Sequence, residues 1–482
     1  LGKFWTMAWL IFWIIFYLAV IIFFTLRHVK TTDIEAYLVN NRNTPTLPLV
    51  FTTLATFVGG GTSIGLMAMG YESGFAAVGI GIAYVIGFFI LSRYAGKINA
   101  DGSKRKIYSL PGFLNKSYTD EKHPGYSRMF SSVVSGVNIF IFFFLLAAQF
   151  VGMASLLKFS FGIGFQSAAI ISCLIVIFYT ALAGLSGVII TDMIQFVVIL
   201  LMIVTIFIPG IWSDTLGLTK LSELPSEMLN GTKYGILFLI GLPLFLAPSV
   251  MVRMDIWQRI LAARSPKVAK RVSIISGFGM LPFYILFPLV GMAIRLVVAD
   301  EIFPRDVAYI FLARHSNEFI LGFAVVGLLS ALMSSGDSFL NLISISAVKD
   351  FVGWKKKSLD ITSAKTQKTV RFTTIIFGFV ALFMALAFPK IVDLMVVGLA
   401  TIVIFVPVTF LALIKQKAHH YRTAALWSII VGFIVNLSFF IWGITAPEQF
   451  EAKASFIPGF LSALLTLLAG ISLTKSTHST KS

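Results

Sequence analysis

The apolar residues of this chain come in continuous runs of about 20, separated by short polar stretches. A barrel strand is about 10 residues long and alternates apolar with polar positions. A run of about 20 apolar residues, rising about 1.5 Å each, spans the hydrocarbon of a bilayer as a helix. Thirteen such runs are present, with cores at 7–26, 48–71, 75–95, 131–157, 161–182, 184–209, 233–256, 272–296, 318–347, 370–388, 391–414, 422–442 and 456–474. The pattern predicts an all-α, polytopic membrane protein of thirteen transmembrane helices, with 1–482 as one transmembrane domain. The connections near Gly162 and Gly184 are very short.

Composition removes the soluble alternative. Residues are 57% hydrophobic and only 12% charged, against about 25% charged in soluble domains. Mean hydropathy is +0.91. The net charge of +17 resembles that of a nucleic-acid binder, but the basic residues lie in short loops between apolar runs, and no nucleic-acid partner is expected. With the N-terminus outside, 28 of the 38 Lys and Arg fall in cytoplasmic segments, nine on the other face, and Arg253 inside a helix. That split follows the positive-inside rule. It predicts a cytoplasmic C-terminus and a multi-pass protein of the cell's inner (plasma) membrane. The basic loops 93–130 and 348–369, the second with Lys355, Lys356 and Lys357, read as solvated segments that set topology, with binding of anionic lipid head groups as the alternative.

Other classes find no support. The first run is too long for a signal peptide and lacks a small-residue cleavage site. Cys173 is alone, inside an apolar run, and reads as inert packing. The six histidines lie in loops or tails. A phosphate-binding loop, an HExxH pattern and a Cys/His cluster are all missing, and no soluble catalytic head fits. An enzyme is not expected.

Two helices carry breaks. The second contains Thr56-Phe57-Val58-Gly59-Gly60-Gly61-Thr62, and each glycine costs about 1 kcal/mol against alanine in a helix interior. The seventh contains Pro243 and Pro248, which remove ladder bonds and clash with the preceding turn. The breaks lie five helices apart, so the two segments run in opposite directions, as an inverted repeat of five requires. Transporters often build a site from such discontinuous helices. The bland alternatives are tight packing at the glycines and a simple kink at the prolines.

Ionisable residues at membrane depth are functional candidates. Asp192 lies in the sixth helix. The ninth carries Ser334, Ser335, Asp337, Ser338 and Asn341, with Ser334, Ser338 and Asn341 on one face. Serine hydroxyls, unwound carbonyls and one carboxylate suit a hard cation such as sodium. Interhelical bonding by the serines is the structural alternative, and a proton relay through Asp192 and Asp337 is a rival. Gln149 reads as hydrogen-bonded packing. Arg253 and Asp255 read as an inner-gate ion pair, and Glu72 and Asp393 as interfacial.

Three segments carry a family likeness: Ala183-Gly-Leu-Ser-Gly-Val-Ile-Ile-Thr-Asp192-Met-Ile-Gln195, Gln258-Arg259-Ile-Leu-Ala-Ala-Arg264-Ser265 and Ala331-Leu-Met-Ser334-Ser335. In these the chain resembles the sodium:solute symporter family over essentially its whole length. The resemblance implies a five-plus-five inverted-repeat core, the leucine-transporter-like fold. Helix 7–26 would be extra, 48–209 the first repeat, 233–414 the second, and 422–474 two further helices. It implies sodium-coupled import of a small polar organic solute by alternating access. The main sodium site would be the carbonyls of Ala55, Val58 and Ala331 with the hydroxyls of Ser334 and Ser335. A candidate second cation site would use Asp192, Ser334, Asp337 and Ser338, with Asp337 standing where members often have a hydroxyl. The solute cleft would include Phe57, Gly59, Gly60, Gly61, Thr62, Gln149 and Ser249. Phe57 replaces the aspartate of the proline transporters, and Gly61 and Thr62 replace the glutamate-glutamine pair of the sugar transporters. A proton-coupled carrier of the same fold and a membrane solute sensor stay open as alternatives.

Overall fold

A computed structural model of the chain describes residues 2–28, 34–120, 122–298, 302–352 and 364–479. Lys30 and the run Lys355 to Lys357 lie outside the described residues. Every regular element among those described is helical. Ten helices are long and apolar enough to cross a membrane, or up to 12 with two bent pairs each taken as one span. A shorter apolar helix, Phe165–Ala181, accompanies them.

The glycine and proline positions explain the irregularities. Helix Pro124–Phe161 stops at Gly162, whose φ of +66° is left-handed. Helix Phe165–Met202 is interrupted at Gly184, with φ +58° and ψ −171°. A Cβ there would lie 2.2 Å from Tyr37 Cδ2, so both backbone conformation and space require glycine. The first bent pair is Thr46–Phe57 with Gly61–Ser73, at 56°. The second is Leu239–Val252 with Met254–Ala262, at 49°. Pro243 and Pro248 do not mark the second break. They loosen the segment into a π turn and a 3₁₀ turn. The chain turns at Arg253, whose φ of −75° and ψ of 117° are extended.

Helix Glu318–Ile345 is the central post. In its span, 78% of the apolar window is buried, against 17% for Met7–Arg27 and for Ala452–Thr474. Outer helices therefore leave apolar side chains uncovered, as with Ile15 and Phe383 at 62% and 73% exposure. Small residues let backbones meet. A Cβ on Gly70 would lie 2.1 Å from the Pro288 carbonyl oxygen, and one on Gly291 would lie 2.0 Å from that of Met67. The C-terminal half of the first broken helix is thereby pressed against helix Pro266–Val297.

The N-terminal side of the first broken helix is clasped to the end of the second. Thr44 N–H donates to the Ala262 carbonyl (3.0 Å) and Arg264 N–H to that of Thr44 (3.1 Å). Asn99 Nδ2 donates to the carbonyls of Ile260 and Ala263.

Candidate cation and solute site

The first break is built by diverted hydrogen bonds. Gly60 N–H would continue the ladder to the Thr56 carbonyl, but it donates to Gln149 Oε1 instead (2.8 Å). Thr62 and Ser63 N–H both turn to the Gly59 carbonyl, at 3.0 and 2.8 Å. The freed Thr56 carbonyl accepts from Ser335 Oγ (2.7 Å), which also lies 3.4 Å from the Ala331 carbonyl. Among the described residues no backbone N–H is bonded to the carbonyls of Ala55 or Val58. All of these residues are buried. Gly59 permits the approach, since a Cβ there would sit 2.0 Å from Ser335 Oγ. The result is a dry seam of carbonyl and hydroxyl oxygens between the break and the central post. Such oxygens suit a hard cation.

Ser334 faces the next cluster. Its hydroxyl donates to Asp192 Oδ1 (2.5 Å), and Thr52 Oγ1 donates to Asp192 Oδ2. Arg259 fills the centre. Its Nη2 lies 2.7 Å from Ser338 Oγ, 2.8 Å from Thr56 Oγ1, 3.1 Å from Thr52 Oγ1 and 3.3 Å from Asp192 Oδ2. The Arg259 and Asp192 side chains are 1% and 0% exposed. Arg259 falls between the apolar runs 233–256 and 272–296, so the charge count assigns it to a cytoplasmic segment. The structure instead puts it on helix Met254–Ala262 and turns it into the core. Sequence reasoning missed it as a site residue, although Gln258-Arg259 was one of the motifs. The available signal was Asp255 and Arg259 one helical turn apart among Ile256, Trp257 and Ile260.

The structure brings Asp192, Ser334 and Ser338 together, but not Asp337. The carboxylate of Asp337 points to Tyr179, whose hydroxyl donates to its Oδ2 (3.0 Å). Among the described residues, Asp337 Oδ1 is buried without a partner, as are both polar atoms of Asn341.

The second break meets the first at Phe57. Arg253 lies over the Phe57 ring, 4.0 Å from its centroid. It also holds Asp255 through two bonds, Nε to Oδ1 at 3.1 Å and Nη2 to Oδ2 at 2.6 Å. Phe57 packs edge-on to Tyr84, Tyr84 lies 5.7 Å from Tyr284, and the Tyr284 and Thr62 hydroxyls are 3.3 Å apart. Of the cleft residues expected from sequence, Phe57 and Thr62 therefore join this aromatic group. Gly59, Gly60 and Gln149 instead line the seam with the central post. Gly61 abuts the Met395 thioether end. Ser249 bonds its own helix, at the Leu246 carbonyl. Arg253 caps the start of helix Met254–Ala262 and Asp255 lies in its first turn, so the expected ion pair forms at the second break.

Residues 37–432 match the sodium:solute symporter family. The chain belongs to that family. It is thus a sodium-coupled symporter of a small solute, not an enzyme, and sodium is the ion it couples. Sodium/proline symporter 2 of Staphylococcus saprophyticus is 26% identical, over 93% of this chain and 91% of that protein. A high-affinity proline transporter of Bacillus subtilis (strain 168) is 25% identical, over 91% of this chain and 92% of that protein. A solved structure of a Na+-coupled sialic acid symporter is 19% identical, with a TM-score of 0.74 over 96% of each chain. MHP1, a nucleobase-cation-symport-1 family transporter, is 14% identical, with a TM-score of 0.55 over 91% of this chain and 96% of that one. These two likenesses show a shared fold.

Proposed function

We propose that the chain imports an α-amino acid as its zwitterion, together with sodium, by alternating access across the plasma membrane. The observation that carries this is the buried Arg253–Asp255 pair in the second break, against Phe57 of the first. A guanidinium fork matches a carboxylate in a bidentate way. An aspartate beside it matches an ammonium. A zwitterion entering between the two replaces each partner without adding net charge to a dry site, where unpaired charge is costly. The proline transporters among the relatives support an amino acid as cargo. In the absence of solute the pair closes on itself and, with the clasp at Thr44, keeps the inner side shut.

The main sodium site in this reading is the carbonyls of Ala55, Val58 and Ala331 with the hydroxyls of Ser334 and Ser335. Sodium there holds the first broken helix to the central post and favours the state that accepts solute, by its differential affinity for the two states. The ten long apolar helices, the two bent pairs and Phe165–Ala181 coincide with the thirteen expected runs. That supports thirteen crossings in contact with membrane lipid, the N-terminus outside and two five-helix repeats at 48–209 and 233–414. Single cysteines at residues 2 and 478, labelled from either side, test the orientation.

The functional test is uptake of a radiolabelled amino-acid panel, proline included, into proteoliposomes with sodium and proton gradients imposed separately. Wild type responds to sodium. Arg253→Gln loses uptake of every substrate. Asp255→Asn loses amino acids while keeping weak binding of carboxylates that lack the ammonium. Wild-type uptake by Arg253→Gln would sink the proposal.

A further inference from the structure

The departure at Asp337 leads to a second inference. We infer that Asp337, Asn341 and Tyr179 form a monovalent-cation site of their own, separate from the seam at Ser335 and from the cluster at Asp192.

Asp192 is already paired with a cation, and both of its oxygens are bonded. One carboxylate oxygen takes the Ser334 hydroxyl, the other takes Thr52 and Arg259. The guanidinium there is a cation tethered to the chain. It holds Ser338 and Thr56 as well, and those are the hydroxyls a mobile ion would need.

Asp337 has the opposite status. It is fully buried and makes no ion pair among the described residues. One oxygen is held by Tyr179 and the other has no partner. Tyr179 also lies 3.3 Å from the Met333 carbonyl, which fixes the face of the central post that looks at helix Phe165–Met202. Residues 333, 337 and 341 follow one another on that face at the four-residue spacing of a helix. Asn341 is 1% exposed, and neither its oxygen nor its nitrogen is bonded among the described residues. Buried polar groups are normally paired, and an unpaired carboxylate at this depth is costly. Two such side chains, one turn apart on one face, meet both needs with a single small cation. It would take Asp337 Oδ1, the Asn341 amide oxygen and the Tyr179 hydroxyl oxygen. The ionisable groups that bear on this place are Asp192, Arg259 and Tyr179, with Tyr17 beyond Tyr179. The same face continues to Ser344, which accepts from Thr374 Oγ1 at 2.9 Å. A polar line therefore runs from the site toward the C-terminal end of the post, as a release path requires.

The test is equilibrium binding of ²²Na⁺ to the full-length protein in nanodiscs, beside the sodium dependence of uptake. Wild type should bind about two sodium ions per chain, in the mass-action sense that also raises its unfolding temperature with sodium. Asp337→Asn should bind about one, and its Hill coefficient for sodium should fall from near two to near one. Asn341→Leu should keep the carboxylate and weaken the second ion about tenfold, which guards against a folding failure of Asp337→Asn. Ser335→Ala should remove the other ion and leave the Asp337 site. If only Ser335→Ala fails to act, the main-site reading is at fault and this one stands. A wild-type stoichiometry of one overturns the site, whether or not a pH dye reports proton uptake in its place. So does an Asp337→Asn protein that still binds two ions.

Discussion

Replacing Gly59 by alanine tests whether close contact between the first break and the central post sets sodium affinity. The added Cβ would lie 2.0 Å from Ser335 Oγ, 2.7 Å from Ser335 Cβ and 3.1 Å from Gln149 Oε1. Rotating Ser335 relieves the first clash but gives up its bond to the Thr56 carbonyl. The second clash does not depend on rotamer. Ordinary contact begins near 3.4 Å, so the two helices must part by about 0.7 Å. Overpacking of this kind costs roughly 1–3 kcal/mol, and the lost buried hydrogen bond adds about 1 kcal/mol. If the strain falls on the sodium-bound state, about 2 kcal/mol raises the half-saturating sodium concentration roughly 30-fold, at about 1.4 kcal/mol per factor of ten. The assay is sodium activation of solute uptake in proteoliposomes, with thermal unfolding to show that the variant folds. Gly60→Ala should be milder, because it meets the flexible ends of Leu332 and Ile391 at 2.9 and 3.2 Å. Gly65→Ala is the control, its nearest contact being the Gly60 carbonyl at 3.6 Å. A folded Gly59→Ala protein with wild-type sodium activation would refute the reasoning.

Arg259→Gln leaves Asp192 buried without its cation and should cost about 3–5 kcal/mol of stability. Adding Asp192→Asn should recover much of that loss in thermal unfolding, and strictly additive losses would mean the two do not act as a pair. Gln149→Leu strands the Gly60 N–H at about 1–3 kcal/mol. It should weaken sodium activation while solute affinity at saturating sodium changes little, and a reversed pattern in uptake kinetics would move Gln149 to the solute cleft. Gly70→Ala drives a Cβ to 2.1 Å from the Pro288 carbonyl oxygen, which is backbone and cannot swing away. Its unfolding temperature in detergent should fall clearly, by the about 1–3 kcal/mol of overpacking, and an unchanged value would mean that interface is looser than described.

The sequence was most informative where a residue type is out of place in hydrocarbon. Three glycines in a row, a lone Asp192 and a cluster of serines each stand out against 57% hydrophobic residues, and each lies at the centre of the structure. Rotation about a helix axis was harder to read. Asp337 and Ser338 are neighbours in sequence, yet one faces Tyr179 and the other Arg259, because only packing decides which way a buried turn looks. The prolines misled for a related reason. Pro243 and Pro248 weaken the ladder wherever they sit, but the chain breaks at Arg253, where a side chain and not a missing N–H fixes the turn.

Arg259 exposes the limit of charge counting. The positive-inside rule treats every arginine near a helix end as solvated, and Arg264, Lys267, Lys270 and Arg271 follow it closely in sequence. Helix Met254–Ala262 is only nine residues long, too short to be noticed as an apolar run. Yet it carries a buried cation to Asp192 in its last turn and holds Thr44 through the Ala262 carbonyl where it ends. The same short helix begins at the residue after Arg253. A movement that opens the clasp must therefore shift the guanidinium among Thr52, Thr56 and Ser338 and disturb the Arg253–Asp255 pair as well. On the proposed mechanism, this one segment links the clasp at Thr44, the charge balance at Asp192 and the break at Arg253. Coupling between ion and solute needs an element that both sites bias, and this helix touches both the Asp192 cluster and the Arg253–Asp255 pair, which makes the arginine hidden by its sequence neighbours the residue to perturb.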